Sequence, residues 1–259
     1  MLTIDELTLS FGGVRAIDNL SFGVEDGSIT ALIGPNGAGK TSVLNVISRF
    51  YRPEQGRVIY DGVDVLRLRA RQVIRHGITR SFQNVALFGG LTVLENLMLG
   101  ADYQSRTGAL LDMIRPPAVW RHERAGRRRA TEVLEFLGIG GIAYRPAEEL
   151  AFGERKLVDL GRALVPQPKL LLLDEPATGL VESQKAWLTG LLRRIPAEFG
   201  TTLLIIDHDM RLVLGVSTRV VVMDFGRKIA DGAPAQVREN PAVVTAYLGT
   251  ASDDAASGD

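Results

Sequence analysis

The sequence predicts an α/β fold with a mostly parallel core sheet, and three observations carry that reading. Short apolar runs at 29–33, 170–173, 202–206 and 219–223 alternate with helix-period stretches, the pattern of parallel strands covered on both faces. A glycine-rich loop, Gly34-Pro-Asn-Gly-Ala-Gly-Lys-Thr-Ser42, joins the first run to a stretch with apolar residues at 43, 44, 46 and 47. Acidic residues follow two of the other runs, Asp174-Glu175 after 170–173 and Asp207 after 202–206. Strand ends of that kind are where open α/β sheets bind ligands.

Along the chain, the first 33 residues alternate in strand fashion, with Gly12-Gly13 and Asp26-Gly27 as turns. Gly56-Arg-Val-Ile-Tyr60 before Asp61-Gly62 reads as a hairpin arm, 66–76 as a basic helix-compatible stretch, and 78–82 as a short strand ending at Gln83. From about 84 to 150 the patterns are mostly helical. There Thr92-Val-Leu-Glu95 forms a capping box, hydroxyl and carboxylate each serving the other's end. A further helix is expected over 181–195. Asn240-Pro241 supplies an N-cap and a first-turn proline for a last helix through Leu248. The small, acidic stretch 251–259 is expected to be a flexible tail.

Composition narrows the chemistry. A chain of 259 residues can bury a substantial core. Lys+Arg and Asp+Glu balance at 30 each, so no global basic field is available for nucleic acid. The absence of cysteine removes disulfides, thiolate metal sites and a thiol nucleophile together. No apolar stretch approaches the ~18–20 residues of a membrane span. The opening Met-Leu-Thr-Ile-Asp-Glu lacks a basic segment followed by an apolar one, so no signal peptide is expected. The run 121–129 is strongly basic and reads as a solvated helix face, with anionic lipid or nucleic acid as alternatives.

The glycine loop fits G-x-x-x-x-G-K-[ST] between a strand and a helix, the context that makes the pattern a phosphate site. Glycines let the backbone fold around an anion, and the first helical turn offers N–H groups and a positive dipole end. Gly34, Pro35, Asn36, Gly37, Ala38, Gly39, Lys40, Thr41 and Ser42 are therefore the expected cradle for a nucleotide's phosphates. Lys40 adds a positive charge for the β- and γ-phosphates, and the Thr41 hydroxyl is placed for Mg²⁺. Asp174 is expected to hold Mg²⁺ through water, and Glu175 to orient and polarise the attacking water. His208 and Gln83 also end strands. The first is placed to hydrogen-bond the γ-phosphate and the water, the second to reach metal or water through its amide.

In order and spacing these motifs resemble the nucleotide-binding subunit of an ABC transporter, over about residues 2–249. The likeness includes a signature-like Leu150-Ala-Phe-Gly-Glu154 ahead of a helix. It implies the P-loop NTPase fold of ABC ATPases: the parallel core sheet, an N-terminal antiparallel β subdomain, and a helical subdomain inserted at about 84–165, all one domain over 1–250. It implies ATP hydrolysis with Mg²⁺, and makes Phe11 the aromatic that stacks on adenine, with plain core packing as the alternative. Within the family, Phe82-Gln-Asn84, Asp207-His-Asp-Met-Arg-Leu-Val213 and the ending Asn240-Pro-Ala-Val-Val-Thr-Ala-Tyr-Leu-Gly249 are similar to branched-chain amino acid importers. Urea or amide importers and lipopolysaccharide export ATPases share much of that pattern. A non-transport ABC protein acting on ribosomes or DNA is a further alternative.

Two departures stand out. The usual Leu-Ser-Gly-Gly-Gln is here Leu-Ala-Phe-Gly-Glu, so Ala151 lacks the serine hydroxyl while Gly153 remains. The D-loop ends Gly179-Leu180-Val181 where Asp or Asn is usual. Both lie on the surface that the family offers to the partner's ATP. The resemblance therefore implies a heterodimer of unequal sites with a second, similar ATPase subunit. It also implies two transmembrane permeases, an indirect solute-binding protein, and a peripheral place on the cytoplasmic face of a bacterial-type inner membrane. Val85, Leu87, Phe88, Leu91 and Leu94 are candidates for the permease dock or for ordinary helical packing.

Overall fold

The computed structural model describes residues 1–81, 86–102 and 117–253. Strands β1 (Leu2–Phe11), β2 (Val14–Val24), β4 (Gln55–Tyr60) and β5 (Val63–Asp64) form an antiparallel sheet in the order β2-β1-β4-β5. The second sheet runs β10-β9-β3-β8-β7-β6, with β3 (Ile29–Ile33), β6 (Ile78–Ser81), β7 (Leu170–Asp174), β8 (Thr202–Ile206), β9 (Arg219–Asp224) and β10 (Arg227–Gly232). Every pairing in it is parallel except that of β9 with β10. Strand alternation over the first 33 residues does not distinguish the two sheets. β3 leaves its sequence neighbours because it is apolar at nearly every position, and only a strand covered on both faces can bury that.

The alternation within the parallel strands divides the core in two. Ile33, Leu171, Leu173, Leu203 and Ile205 face one cluster, while Leu32, Leu170, Leu172, Leu204 and Ile206 face the other. The second cluster takes α1 (Lys40–Ile47) and the antiparallel sheet. Against the first pack the helices between and after β6 and β7: α3 (Val93–Asp102), α4 (Pro117–Phe136), α5 (Phe152–Leu164), α6 (Glu182–Phe199) and α7 (Met210–Val216). The basic run 121–129 lies on α4, where Arg121, Arg124, Arg127 and Arg128 are exposed.

Short α2 (Ala70–Arg75) lies in the basic stretch before β6, and α8 (Pro234–Arg238) and α9 (Pro241–Asp253) close the chain. Helix α9 runs on to Asp253 instead of stopping at Leu248. Helix α6 likewise passes Pro196 and ends at Gly200, whose left-handed conformation (φ 63°) caps it. A proline so close to the C-terminus removes one hydrogen bond without breaking the helix.

The start of α3 shows how the loop before it is fixed. The Thr92 amide donates to Glu95 Oε2 at 2.8 Å, and the Glu95 amide donates back to Thr92 Oγ1 at 3.2 Å. Fully buried Asn96 donates through Nδ2 to the carbonyls of Phe88 and Thr92, and its Oδ1 accepts from the Phe88 amide. Those bonds leave Leu94 in the core and Phe88 on the surface. Thr92→Ala should lower stability by about 1 kcal/mol, a fall of roughly 2–4 °C in melting temperature for a domain of this size. The Thr92 amide holds the Glu95 carboxylate below its ordinary value. Its stabilising share is therefore present above the usual glutamate pKa and lost as pH falls through the lowered one. The gap between the wild-type and Thr92→Ala melting temperatures should narrow in acid without closing, because the hydroxyl's bond to the ionised carboxylate is lost there while the Glu95 amide keeps its bond to Oγ1; a pH series checks this.

Candidate functional site

Strands β3, β7 and β8 run parallel, so the loops that follow them open on one edge of the sheet. After β3 the backbone turns through Gly34, Gly37 and Gly39, with φ of 153°, 81° and 97°. The first and last of these also have no room for a side chain. A Cβ on Gly34 would lie 2.0 Å from the Met223 carbonyl oxygen, and one on Gly39 2.0 Å from that of Ala16. The Gly226 amide donates to the Ala38 carbonyl at 3.1 Å, so the hairpin between β9 and β10 holds the loop from a third side.

Helix α1 begins at Lys40 with no side-chain cap from Gly39, which leaves its first amides facing the loop. Lys40 folds back over that loop, its Nζ donating to the carbonyls of Gly34 (2.7 Å) and Pro35 (2.8 Å). Burial pushes its ammonium below the ordinary lysine value, against the pull of Glu175 and Asp174. Thr41 is exposed and Ser42 half-buried at the start of the helix.

Asp174, the last residue of β7, is buried. Its Oδ2 accepts from Arg80 Nη2 at 2.6 Å, and Arg80 Nη1 donates to Asn45 Oδ1 of α1 at 2.7 Å. Arg80 thus ties β6 to both the acidic strand end and the phosphate-loop helix. Its signal in the sequence is a charged residue inside a short strand, which needs a buried partner. Asp174 Oδ1 is buried with no hydrogen-bond partner among the described residues. A buried carboxylate oxygen without a partner, on a residue that Arg80 ties to the helix carrying Thr41, suits a hard divalent cation, so the residues present fit Mg²⁺.

Glu175 follows in the left-handed region, φ 50°. Such a conformation costs a non-glycine residue about 1–3 kcal/mol and turns its side chain away from the strand direction. Its amide donates to the Ile206 carbonyl at 2.7 Å, and its Oε2 accepts from the Thr178 hydroxyl at 3.1 Å. Next to it, fully buried Asp207 accepts from the Ala177 amide (2.9 Å) and the Asp209 amide (2.9 Å). Burial raises the Asp207 carboxyl above its ordinary range. Asp207 is a brace between two strand ends. Asp209 caps α7 and pairs with Lys185 at 2.7 Å. His208, between them, is exposed, its Nδ1 3.9 Å from Asp207 Oδ1.

Phe11 is 45% exposed at the end of β1 and meets Tyr51 edge-on with ring centroids 5.0 Å apart. It is a surface aromatic, which removes core packing as its explanation. Tyr51 is its unforeseen neighbour. Ala151 and Gly153 lie at the start of α5, which has no side-chain cap, since alanine offers no acceptor; only the return bond from the Ala151 amide to Glu154 Oε2 (2.9 Å) forms. A Cβ on Gly153 would meet Gln184 Nε2 at 2.8 Å. Val181 is exposed. The structure therefore gathers the 34–42 loop, Asp174, Glu175 and His208 on one edge. Ala151, Gly153 and Val181 start two other helices, and Gln83 lies outside the described residues.

Known proteins match this arrangement along nearly the whole chain. The ABC transporter family matches residues 17–178, and the branched-chain amino acid ATP-binding cassette transporter family matches residues 227–253. The branched-chain amino acid transport ATP-binding protein BraF of Pseudomonas aeruginosa is 38% identical, the match covering 97% of this chain and 98% of that protein. The corresponding LivG of Escherichia coli K12 is 38% identical with the same coverage. Among solved structures, an ATP-binding cassette of an ABC transporter in its ADP conformation superposes with a TM-score of 0.83 and 32% identity, covering 96% of this chain and 98% of that one. A nucleotide-free cassette superposes at 0.80 with 31% identity, covering 95% and 98%. With relatives this similar over their full length, the chain belongs to the ABC transporter family, as one of its ATP-binding cassettes.

Proposed function

We propose that this chain hydrolyses ATP as one half of a cassette dimer that drives import of branched-chain amino acids through membrane permeases. The observation that carries the chemistry is that parallel β3 and β7 end on one sheet edge, which puts the Lys40 loop on the same edge as Asp174 and Glu175. The solute rests on the full-length likeness to BraF and LivG and on the matching C-terminal segment.

ATP enters with its phosphates on the α1 amides and its adenine against Phe11. Lys40 exchanges its two loop carbonyls for β- and γ-phosphate oxygens, a trade of neutral acceptors for charged ones. When bound, Mg²⁺ neutralises charge on those oxygens, with Thr41, Gln83 and, through water, Asp174 as its holders. Glu175 orients a water and draws on its proton as the oxygen attacks the γ-phosphorus and the bond to the β-phosphate breaks. His208, exposed beside it, hydrogen-bonds the γ-phosphate and the water.

The γ-phosphate also meets the partner subunit's signature helix, and the open amides of α5 here, with Ala151 and Gly153, do the same for the partner's ATP. Charge-assisted contacts across the interface vanish when that phosphate leaves, and the dimer opens. Ala151 offers no hydroxyl, so the site this chain completes for its partner is the weaker one and the dimer is a heterodimer. A groove of about 480 Å³ beside β6, lined by Phe50, Ile74, Ala86, Phe88 and Arg162, receives the permease's cytoplasmic helix. Among the described residues no helix is long and apolar enough to cross a membrane, so the chain reaches the membrane through those permeases, at its cytoplasmic face. A solute-binding protein delivers the amino acid on the far side.

Lys40→Ala should weaken ATP binding itself, by about 10-fold or more for the loss of a charged phosphate contact, as nucleotide titration checks. Glu175→Gln should retain binding, lower hydrolysis by about 10²–10⁴-fold and trap a closed dimer on gel filtration; near-normal turnover would overturn its role. Membrane vesicles carrying that variant should lose ATP-driven leucine, isoleucine and valine uptake, and unchanged uptake would overturn the solute assignment. Silencing the two subunits one at a time should leave unequal residual rates, and equal rates would remove the asymmetry.

A further inference from the structure

Lys156 lies one helical turn beyond Phe152 on the same face of α5. Its half-buried ammonium crosses to the loop after β7, donating to the Glu175 carbonyl at 2.8 Å and, more weakly, to that of Pro176 at 3.4 Å. Among the described residues it forms no carboxylate ion pair, although Asp207, Glu175, Asp159 and Asp174 surround it electrostatically. A lysine used on carbonyl oxygens fixes geometry more than it neutralises charge. A cavity of about 30 Å³, lined by Leu160, Leu173, Asp174 and Lys156 among others, lies beside the link. The lysine bridges a gap that side-chain packing leaves open.

The carbonyl it holds belongs to the residue in the left-handed conformation. Glu175 O accepts from Thr178 N (3.2 Å) and from Lys156, and these two donors together set the plane of the following peptide. That plane fixes the backbone turn from which the Glu175 carboxylate projects. At its other end the link reaches the partner-facing surface. Lys156 Nζ lies 5.6 Å from the centroid of the Phe152 ring. That ring occupies the space above Gly179, where a Cβ would approach Phe152 Cε1 to 2.5 Å. Phe152 stands between Ala151 and Gly153, the stretch offered to the other subunit's nucleotide.

We propose that Lys156 is a positioning residue that holds Glu175 in its hydrolytic geometry and couples that geometry to occupancy of the surface around Ala151 and Gly153. A nucleotide docking on the start of α5 moves Phe152 and Lys156 as one rigid turn, and the Glu175 carbonyl follows. Each chain thereby makes its own hydrolytic carboxylate responsive to the ATP that it completes for its partner. The inference rests on the reading that Glu175 acts on water.

The test is steady-state ATP hydrolysis against ATP concentration, by the complex purified from membranes through a tag on this chain. Lys156→Met, Lys156→Arg and Glu175→Gln are compared, the last giving the background from the other site. Lys156→Met should lower kcat of this chain's site about 10- to 100-fold, the range for misplacement of a catalytic group, with KM changed less than about 2-fold and the Hill coefficient falling toward 1. Lys156→Arg, whose guanidinium reaches the same carbonyls, should recover most of kcat and of the cooperativity. Unchanged kcat in the Met variant would overturn the proposal, as would equal loss in Met and Arg, or a fall in kcat with cooperativity intact. If the Met variant does not fold, Lys156→Gln, which keeps a neutral donor, is judged by the same split. A Glu175→Gln variant that still turns over at this site overturns the hydrolysis reading itself. An inactive Glu175→Gln beside a normal Lys156→Met removes the coupling alone.

Discussion

The register of β7 is the constraint on which the rest depends. The strand is paired on both edges, Leu173 opposite Ser81 of β6 and Ile205 of β8, and every one of its five residues is buried. A slip by one residue would exchange the two faces, sending Leu171 and Leu173 out of one half of the core and Leu170 and Leu172 out of the other. It would also pull Asp174 away from Arg80, which the same ladder sets beside it. The apolar packing of the sheet thus fixes where the carboxylates stand, and the chemistry borrows the precision of the core.

That edge concentrates charge. Asp174, Glu175 and Asp207 end neighbouring strands, and each is handled differently. Arg80 pairs with one oxygen of Asp174, two backbone amides serve Asp207, and Thr178 hydrogen-bonds Glu175. The two lysines nearby, Lys40 and Lys156, both donate to carbonyl oxygens while remaining within electrostatic reach of the acids. On the proposals made above, Lys40 trades those acceptors for phosphate and Lys156 keeps them. Burial holds both ammoniums below the ordinary lysine value, and the surrounding carboxylates oppose it, so a change at Glu175 or Asp174 is felt by both.

Much of this was legible before any coordinates. The glycine loop and the uninterrupted apolar runs state their roles locally, because a phosphate cradle and a doubly covered strand each need particular residue types in sequence. The capping box at Thr92 is local as well. What Arg80, Asp207 and Lys156 touch was not legible, because their partners lie in strands, helices and loops away from them in sequence, and a basic or acidic residue alone does not name its partner. Pro196 misleads in the opposite direction: a proline reads as a stop, yet the last turn of α6 has few bonds left to lose. Phe11 and Tyr51 meet only because the antiparallel sheet brings the end of β1 against the segment after α1.

The fit of Gly39 against Ala16 has a genetic consequence. What blocks a side chain at position 39 is a main-chain carbonyl, 2.0 Å from where its first carbon would sit, and every amino acid carries the same carbonyl. No exchange at position 16 makes room, and the Met223 carbonyl guards Gly34 in the same way. Damage at either glycine should therefore lack simple suppressors at the residue it strikes. Recovery would have to come from reversion, or from changes that move whole strands. The two positions are as unforgiving as a metal ligand, although neither glycine bears a functional group.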